Sequence, residues 1–320
     1  MKRRRRWGML LRLRQFVEYV LLRGLAVVTA ILPPRAVLAI GRALGRLAML
    51  LDRRHRRAAA ENLRLAFGAG LAPRQRRRLV RRTFERFGEV LAELLLFPRV
   101  ARASPEAWAE VHGLEHLRAA LAGGRGAFVT SGHFGNWEMI ALVQARLGIP
   151  MAMVTRPLDN PWLERWMAHL RCLTGNRVIH REGAVRGMLA ALARGEAVAL
   201  VIDQHVRGGG GLLVEFFGRA ASTSSALGML ALKRGSPIVP VFSYPLGGGR
   251  YRIEYEPPIQ PRAQGADRHA EVERLTREVT ARLELRVREH PELWLWMHSR
   301  WRHRPGAGAT GALALEESAP

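Results

Sequence analysis

Two kinds of residue are scarce in this sequence, cysteine and the acidic amino acids. The single cysteine, Cys172, cannot form an intramolecular disulfide, so nothing in the sequence indicates an oxidising compartment. A structural zinc site built from several cysteines is excluded for the same reason. The sequence has only 27 Asp and Glu residues against 51 Lys and Arg residues, which gives a formal net charge of +24. A surplus of this size calls for an anionic partner or surface.

The basic residues do not form the pattern of a nucleic-acid-binding protein. The arginines are spread through amphipathic helical segments, and the sequence contains no zinc-finger, KH or RNP signature. Anionic lipid headgroups or an anionic substrate account for the charge better. We therefore predict a membrane and an anionic substrate as partners, and no nucleic acid.

The amino-terminal residues, 1–34, carry the features of a membrane anchor. A basic start is followed by a largely apolar region, 16–32, which Glu18 and Arg23 interrupt. Its uninterrupted part is too short to cross about 30 Å of hydrocarbon as a helix, so we expect an interfacial or single-pass anchor. The internal charges weigh against a cleaved signal peptide, and a buried first helix is the alternative. If the segment inserts, its basic end should stay in the cytoplasm.

The rest of the sequence divides into a helical region, an α/β region and a tail. Residues 35–100 show apolar positions separated by arginine, which is typical of amphipathic helices. Residues 110–304 alternate between strand and helix patterns. This alternation predicts an α/β fold with a mainly parallel mixed sheet flanked by helices, and we expect 35–304 to form one large domain. The tail, 305–320, is rich in glycine and alanine and is predicted to be disordered.

The periodicity also places the individual elements of the α/β region. The predicted strands are 127–130, 151–154, 177–179, 197–202, 238–242 and 251–255. The predicted helices are 136–147, 160–172, 183–193, 222–234 and 267–289. Ligands of such folds bind beyond the carboxyl ends of the parallel strands.

The most informative segment follows the first of these strands. His133 leaves the carboxyl end of the strand, and Glu138 lies in the first turn of the next helix, with Gly132 and Gly135 allowing a loop between them. A neutral imidazole can take a proton from a hydroxyl, and a carboxylate on its other nitrogen stabilises the imidazolium that forms. We predict His133 and Glu138 as catalytic residues for direct transfer of an acyl group to an alcohol.

Two other interpretations of this segment remain open on the residues alone. A single histidine at a strand end is often a structural hydrogen-bonding residue. Ser131, two residues before His133, could act as a nucleophile, but no Gly-x-Ser-x-Gly elbow surrounds it. Ser131 and His133 are two residues apart at a strand end, so their side chains point the same way but are too far apart to form a hydrogen bond.

The segment resembles the His-x4-Asp/Glu motif of the glycerolipid acyltransferase superfamily. More narrowly, His133 to Glu138 resembles the bacterial lipid A biosynthesis acyltransferase family, the lauroyl and myristoyl transferases. Further blocks are similar to that family and occur in the same order, over about residues 16–304. They are 60–67 (Ala-Glu-Asn-Leu-Arg-Leu-Ala-Phe), 156–161 (Arg-Pro-Leu-Asp-Asn-Pro), 203–204, 216–218 (Phe-Phe-Gly), 222–223, 237–241 and 291–301.

The resemblance implies a function that spacing alone does not show. The donor would be an acyl-carrier-protein thioester or acyl-CoA, and the acceptor a hydroxyl of a lipid A precursor, at the cytoplasmic face of the inner membrane. Another glycolipid, such as a phosphatidylinositol mannoside, stays open as acceptor, and so does a non-catalytic, basic membrane-binding protein. The histidines lack metal-ligand spacing, so we predict no metal and no cofactor.

Six further residues are predicted to bind the substrates. Arg156, just past a strand and matched by the family's arginine, suits a phosphate or carboxylate, with a surface salt bridge as the alternative. Arg171 is a second candidate. Asp203 and Gln204, at the end of another strand, would hydrogen-bond the acceptor or order the following loop. The last two candidates, Phe216 and Phe217, would line an acyl-chain channel or belong to the core.

Overall fold

The computed structural model describes residues 2–180, 183–206, 211–262 and 267–301, and for 2–9 the backbone only. The predicted disordered tail, 305–320, lies outside the described residues. The helices are α1 (Lys2–Ile31), α2 (Pro34–Leu51), α3 (Arg53–Phe67), α4 (Pro73–Leu94), α5 (Phe97–Arg102), α6 (Leu114–Ala122), α7 (Trp137–Arg146), α8 (Pro161–Cys172), α9 (Ala184–Ala193), α10 (Ala226–Arg234) and α11 (Arg268–Glu289). The strands are β1 (Ala109–His112), β2 (Ala127–Ser131), β3 (Met151–Thr155), β4 (Arg177–His180), β5 (Ala197–Val201), β6 (Gly211–Phe216), β7 (Arg219–Ser224), β8 (Ile238–Gly247) and β9 (Arg250–Tyr255).

A seven-stranded sheet forms the centre of the α/β region, in the order β1-β9-β8-β2-β5-β3-β4. All neighbouring pairs are parallel except β8 and β9, which confirms the predicted mainly parallel sheet flanked by helices. Every residue of β2 is buried. A strand that is covered on both faces has a continuous run of buried residues and not an alternation of buried and exposed residues.

A hairpin of β6 and β7 departs from the prediction, because the helix expected from residue 222 begins only at Ala226. Residues 219–224 pair instead with 211–216 as antiparallel strands. Phe217 and Gly218 form the turn, both at positive φ (56° and 68°), as a type I′ two-residue hairpin turn requires. The Phe217 N–H donates to the Glu284 carboxylate at 2.7 Å, so α11 holds the unusual backbone in place.

Close backbone contact joins α2 to α4 in the helical region. A Cβ atom on Gly88 would lie 2.1 Å from the Gly41 carbonyl oxygen, and one on Gly45 would lie 2.2 Å from the Phe84 carbonyl oxygen. Residues 41 and 45 therefore face 88 and 84, so the two helices run antiparallel and glycine is required where they cross.

One side of α1 packs against the α/β region. The Asn160 side-chain amide donates to the Gln15 carbonyl oxygen at 2.9 Å, and the Tyr19 ring lies 5.9 Å from the Trp162 ring. No helix of the described residues is long and apolar enough to cross a bilayer. Among the described side chains, the large apolar ones that α1 and α2 leave exposed are Leu10, Leu11, Leu13, Phe16, Val17, Val20, Leu21, Val27, Val28, Ile31, Ile40, Leu44, Leu47, Leu50 and Leu51.

Candidate active site

The register of two central strands brings a histidine and an aspartate together. In the parallel pair of β2 and β5, Ser131 lies opposite Val201. His133 and Asp203 each follow two residues later, and neighbouring strands are about 4.8 Å apart. Both side chains therefore leave the sheet at its carboxyl edge, where ligands of α/β folds bind.

Asp203 holds the His133 ring in a fixed orientation. Its Oδ1 lies 2.7 Å from His133 Nδ1, and its Oδ2 accepts the His133 backbone N–H at 2.7 Å and the Trp294 Nε1–H at 2.8 Å. The side chains of His133 and Asp203 are 11% and 2% exposed. This geometry leaves Nε2 of the ring for a substrate. The carboxylate on the second ring nitrogen is thus Asp203, and the sequence-based pairing of His133 with Glu138 was wrong.

The pair raises the basicity of the histidine. Burial by itself lowers the pKa of His133, but the charge of Asp203 and its hydrogen bond outweigh burial, and Glu138 adds a smaller effect. The net pKa of His133 lies above its usual value. Burial by itself raises the pKa of Asp203, but the His133 charge and the hydrogen bonds lower it well below the usual range. Asp203 therefore remains ionised beside the ring.

Glu138 binds an arginine instead of the histidine. Arg171, in the last turn of α8, donates from Nε to Glu138 Oε2 at 2.9 Å and from Nη2 to Oε1 at 2.5 Å. The two side chains are 13% and 8% exposed. A bidentate, largely buried pair of this kind is geometrically specific. It fixes a positive charge on the helix that follows β3.

The loop between His133 and α7 is held on three sides. Gly135 has φ +60° and donates to the Leu293 carbonyl oxygen at 2.9 Å, and a Cβ there would lie 1.9 Å from the Ser243 carbonyl oxygen. Asn136 caps α7 by accepting the N–H groups of its first turn, and its amide donates to Glu93 at 2.7 Å. The predicted glycine-dependent loop is therefore a rigid segment.

Two aromatic rings flank His133. The Trp137 and His298 ring centroids lie 4.7 Å and 5.1 Å from the His133 centroid. Burial, with the nearby His133 charge, lowers the pKa of His298 to about 4, so this second ring is neutral at neutral pH. Sequence reasoning did not place Trp137, His298 or Trp294 in the site, although all three lie inside the segments that carry the resemblance. Within the described ranges, no cluster of three His, Cys, Asp or Glu side chains could hold a metal ion.

The other predicted residues lie in different environments. Arg156 is at the surface, its side chain 75% exposed and 3.8 Å from Asp159. Gln204 is exposed. Both Asp203 oxygens contact protein groups, and Oδ1 is the partner of His133. Its predicted hydrogen bond to the acceptor stays a prediction.

Phe216 and Phe217 are buried in an aromatic cluster. The Phe216 ring lies 5.5 Å from the Trp294 ring and 5.8 Å from the Trp301 ring. This is the core environment that the sequence allowed for them. Their assignment to an acyl-chain channel stays a prediction.

Comparison with known proteins agrees with the resemblance. A model of the family described as bacterial lipid A biosynthesis acyltransferase matches residues 7–303. The chain is 30% identical to the lipid A biosynthesis lauroyltransferase of Escherichia coli (strain K12), over 86% of this chain and 88% of that protein. It is 25% identical to the palmitoleoyltransferase of the same strain, over 86% and 87%.

A more distant similarity links the chain to another group of acyltransferases. It is 22% identical to the phosphatidylinositol mannoside acyltransferase of Mycolicibacterium smegmatis (strain ATCC 700084 / mc(2)155), over 70% of this chain and 72% of that protein. The family match is much more extensive, because it covers nearly the whole described chain. The chain therefore belongs to the bacterial lipid A biosynthesis acyltransferase family and is an O-acyltransferase.

Proposed function

We propose that this acyltransferase moves a fatty acyl chain from an acyl-carrier-protein thioester to a hydroxyl of a lipid A precursor, at the cytoplasmic face of the inner membrane. The observation that carries the proposal is the buried His133–Asp203 pair, found at the carboxyl edge of the sheet in a chain of this family. The lauroyltransferase and palmitoleoyltransferase relatives support the acceptor by their names. The net charge of +24 suits an anionic lipid and an acidic carrier protein.

In the proposed mechanism His133 is the general base. Its Nε2 takes the proton of the acceptor hydroxyl while the hydroxyl oxygen forms a bond to the thioester carbonyl carbon. The tetrahedral intermediate then breaks its C–S bond, and the imidazolium returns the proton to the leaving thiolate. Asp203 is a positioning residue that holds the ring and stabilises the imidazolium. Glu138 contributes its negative charge near the ring and keeps Arg171 in place.

The transfer is proposed to be direct, without an acyl-enzyme. Ser131 Oγ is buried and has no hydrogen-bond partner in the part of the chain that the structure describes. A serine nucleophile needs an adjacent base, and His133 directs Nδ1 toward Asp203. A stable acyl adduct on Ser131 would contradict this choice.

Acyl transfer to a defined acceptor tests the proposed function. Purified protein in detergent is mixed with a tetra-acylated lipid A precursor and a panel of acyl-carrier-protein or CoA thioesters. Mass spectrometry measures the masses of the products. We expect a precursor heavier by one acyl chain, formed faster from the carrier-protein donors. Thioester turnover without that product would reject the acceptor. A phosphatidylinositol mannoside, suggested by the Mycolicibacterium smegmatis relative, would then be tested.

The exposed apolar side chains of α1 and α2 support the proposed membrane contact. Leu44 and Leu47 are 52% and 50% exposed and lie three residues apart on one face of α2. Arg53 and Arg54 follow the carboxyl end of α2 and are exposed, which suits anionic headgroups near this face. We propose that this face and residues 1–34 lie at the membrane interface.

Charge placed on this face should weaken membrane binding. We expect the Leu44→Glu/Leu47→Glu double variant to lose about tenfold or more in partitioning to vesicles with anionic lipid, because burying each leucine contributes about 1.5–3 kcal/mol. Flotation of vesicles measures the bound fraction. The control is Leu285→Glu on α11, where the leucine is 48% exposed. Equal binding of all variants, or full binding after deletion of residues 1–34, would contradict the proposed contact.

A further inference from the structure

A cleft of about 880 Å³ runs between α2, α4 and the turn that joins β8 to β9. Its lining residues on α4 extend from Gln75 to Glu93, which is about 27 Å at 1.5 Å per residue. A cleft this long suits an extended ligand better than a compact one. We call it the arginine cleft, after the arginines in its walls: Arg35, Arg42, Arg78, Arg82, Arg86 and Arg250.

Most of these arginines already have a carboxylate partner. Arg42 pairs with Glu89 at 3.1 Å, Arg82 with Glu85 at 3.1 Å, and Arg250 with Glu110 at 3.0 Å. Arg86 pairs with Glu89 and is buried against Glu93. Over the described residues, Arg35 and Arg78 alone among the six have no ion pair. Each is exposed and can meet an anionic group of a ligand.

The arginine cleft shares two wall residues with a separate small cavity at His133. Arg86 and Leu293 line the cleft and also a small cavity whose other walls include His133 and Trp137. Arg78 precedes Arg86 by eight residues, about 12 Å along α4. An anionic group at Arg78 would therefore need an extended arm to bring a reactive group to His133.

The cleft opens on the opposite side of α2 from the proposed membrane face. Leu38 and Arg42 line the cleft, while Leu47 and Leu51, each nine residues further on, are exposed. At about 100° per residue, nine residues place side chains on opposite sides of a helix. A ligand entering the cleft therefore comes from the aqueous side, which favours a soluble substrate over a membrane lipid.

The Arg78 end is also the more basic one. The first half of α4 carries no acidic residue before Glu85, and its arginines are Arg74, Arg76, Arg77, Arg78, Arg81 and Arg82. Such a concentration of one charge steers an acidic protein toward this end of the cleft.

We propose that the arginine cleft binds the 4′-phosphopantetheine arm of the acyl donor, with its phosphate at Arg78 and its thioester beside His133. The inference rests on the proposed function, because it requires a thioester donor. Both acyl-carrier protein and CoA carry this arm, so the cleft recognises chemistry common to the two donors.

Steady-state kinetics with three dodecanoyl thioesters tests the assignment. The thioesters are those of acyl-carrier protein, CoA and pantetheine, the last of which lacks the phosphate. Arg78→Gln should raise the KM of the first two about tenfold and leave the KM of the pantetheine thioester and of the lipid acceptor unchanged. The control, Arg186→Gln, changes an exposed arginine on α9 that does not line the cleft.

Each other pattern overturns the phosphate assignment. A penalty confined to the carrier-protein thioester would place Arg78 against the surface of that protein, and a raised KM for the acceptor would make the cleft a headgroup site. An unchanged KM for every substrate would mean that Arg78 binds none of them. Tryptophan fluorescence titration with 4′-phosphopantetheine needs no turnover, so weaker binding to Arg78→Gln than to the native protein would support the cleft even if the proposed acceptor were wrong. Equal binding to both would count against it.

Discussion

Replacing His133 by alanine should lower kcat for acyl transfer about 10³-fold, the middle of the range for loss of a general base. The ring is the group whose Nε2 faces the site while Nδ1 is held by Asp203. The neighbouring His298 ring is a poor substitute, because burial is the main cause that lowers its pKa and burial persists in the variant. Mass spectrometry of the acylated product over time measures the loss.

The fold should survive this substitution, and two observations check that it does. The thermal melt of His133→Ala should keep a cooperative transition, and His169→Ala, which removes an exposed histidine on α8, should retain native activity. Added imidazole should restore part of the lost rate by occupying the vacated volume. A loss of less than tenfold in a folded His133→Ala protein would remove His133 from the role of base.

Replacing Asp203 by asparagine should lower kcat about 10²- to 10⁴-fold and also move the pH profile. Asp203 raises the pKa of His133, and the base works only when neutral, so native activity rises with pH through a pKa above the usual 6.5. Without the negative charge the pKa of His133 falls. The acid limb of kcat/KM should therefore shift to lower pH even as the maximum rate drops, because an asparagine no longer stabilises the imidazolium.

The Glu138→Gln variant distinguishes the effect of the Asp203 charge on the pKa of His133 from a general disturbance of the site. Glu138 has a smaller influence than Asp203 on the pKa of His133, so its variant should shift the acid limb less. Any loss of kcat in Glu138→Gln would come from breaking the ion pair that holds Arg171 in place. Profiles of kcat/KM between pH 5 and pH 9 compare the three proteins. An acid limb that stays in place in Asp203→Asn, or moves to higher pH, would contradict the proposed coupling.

The position of the histidine followed from the sequence because its signals are local. An apolar run over 126–129, followed by Gly132 and Gly135, predicts a strand and a loop, and Asn136 begins a helix as its N-cap. Each of these features depends on neighbours within a few residues. The same holds for most strands and helices of the α/β region, whose periodicity is set by burial on the sheet.

The partner of the histidine did not follow from the sequence, because it depends on which strands are adjacent. Asp203 is 70 residues from His133, and only the pairing of β2 with β5 puts both at one edge. Glu138 is five positions away but turns toward Arg171 on α8. Proximity along the chain therefore suggested the wrong carboxylate.

By itself, the sequence determined the family, the mainly parallel α/β fold and the placement of His133 at the end of a strand, since local pattern and ordered motifs carry that information. Tertiary structure alone decided the His133–Asp203 and Glu138–Arg171 pairs and the cleft beside α4. Contacts of this kind join residues that strand order and helix packing bring together. No local pattern encodes them, because the free energy of one hydrogen bond, about 1 kcal/mol, is secondary to the burial that fixes the arrangement of the sheet.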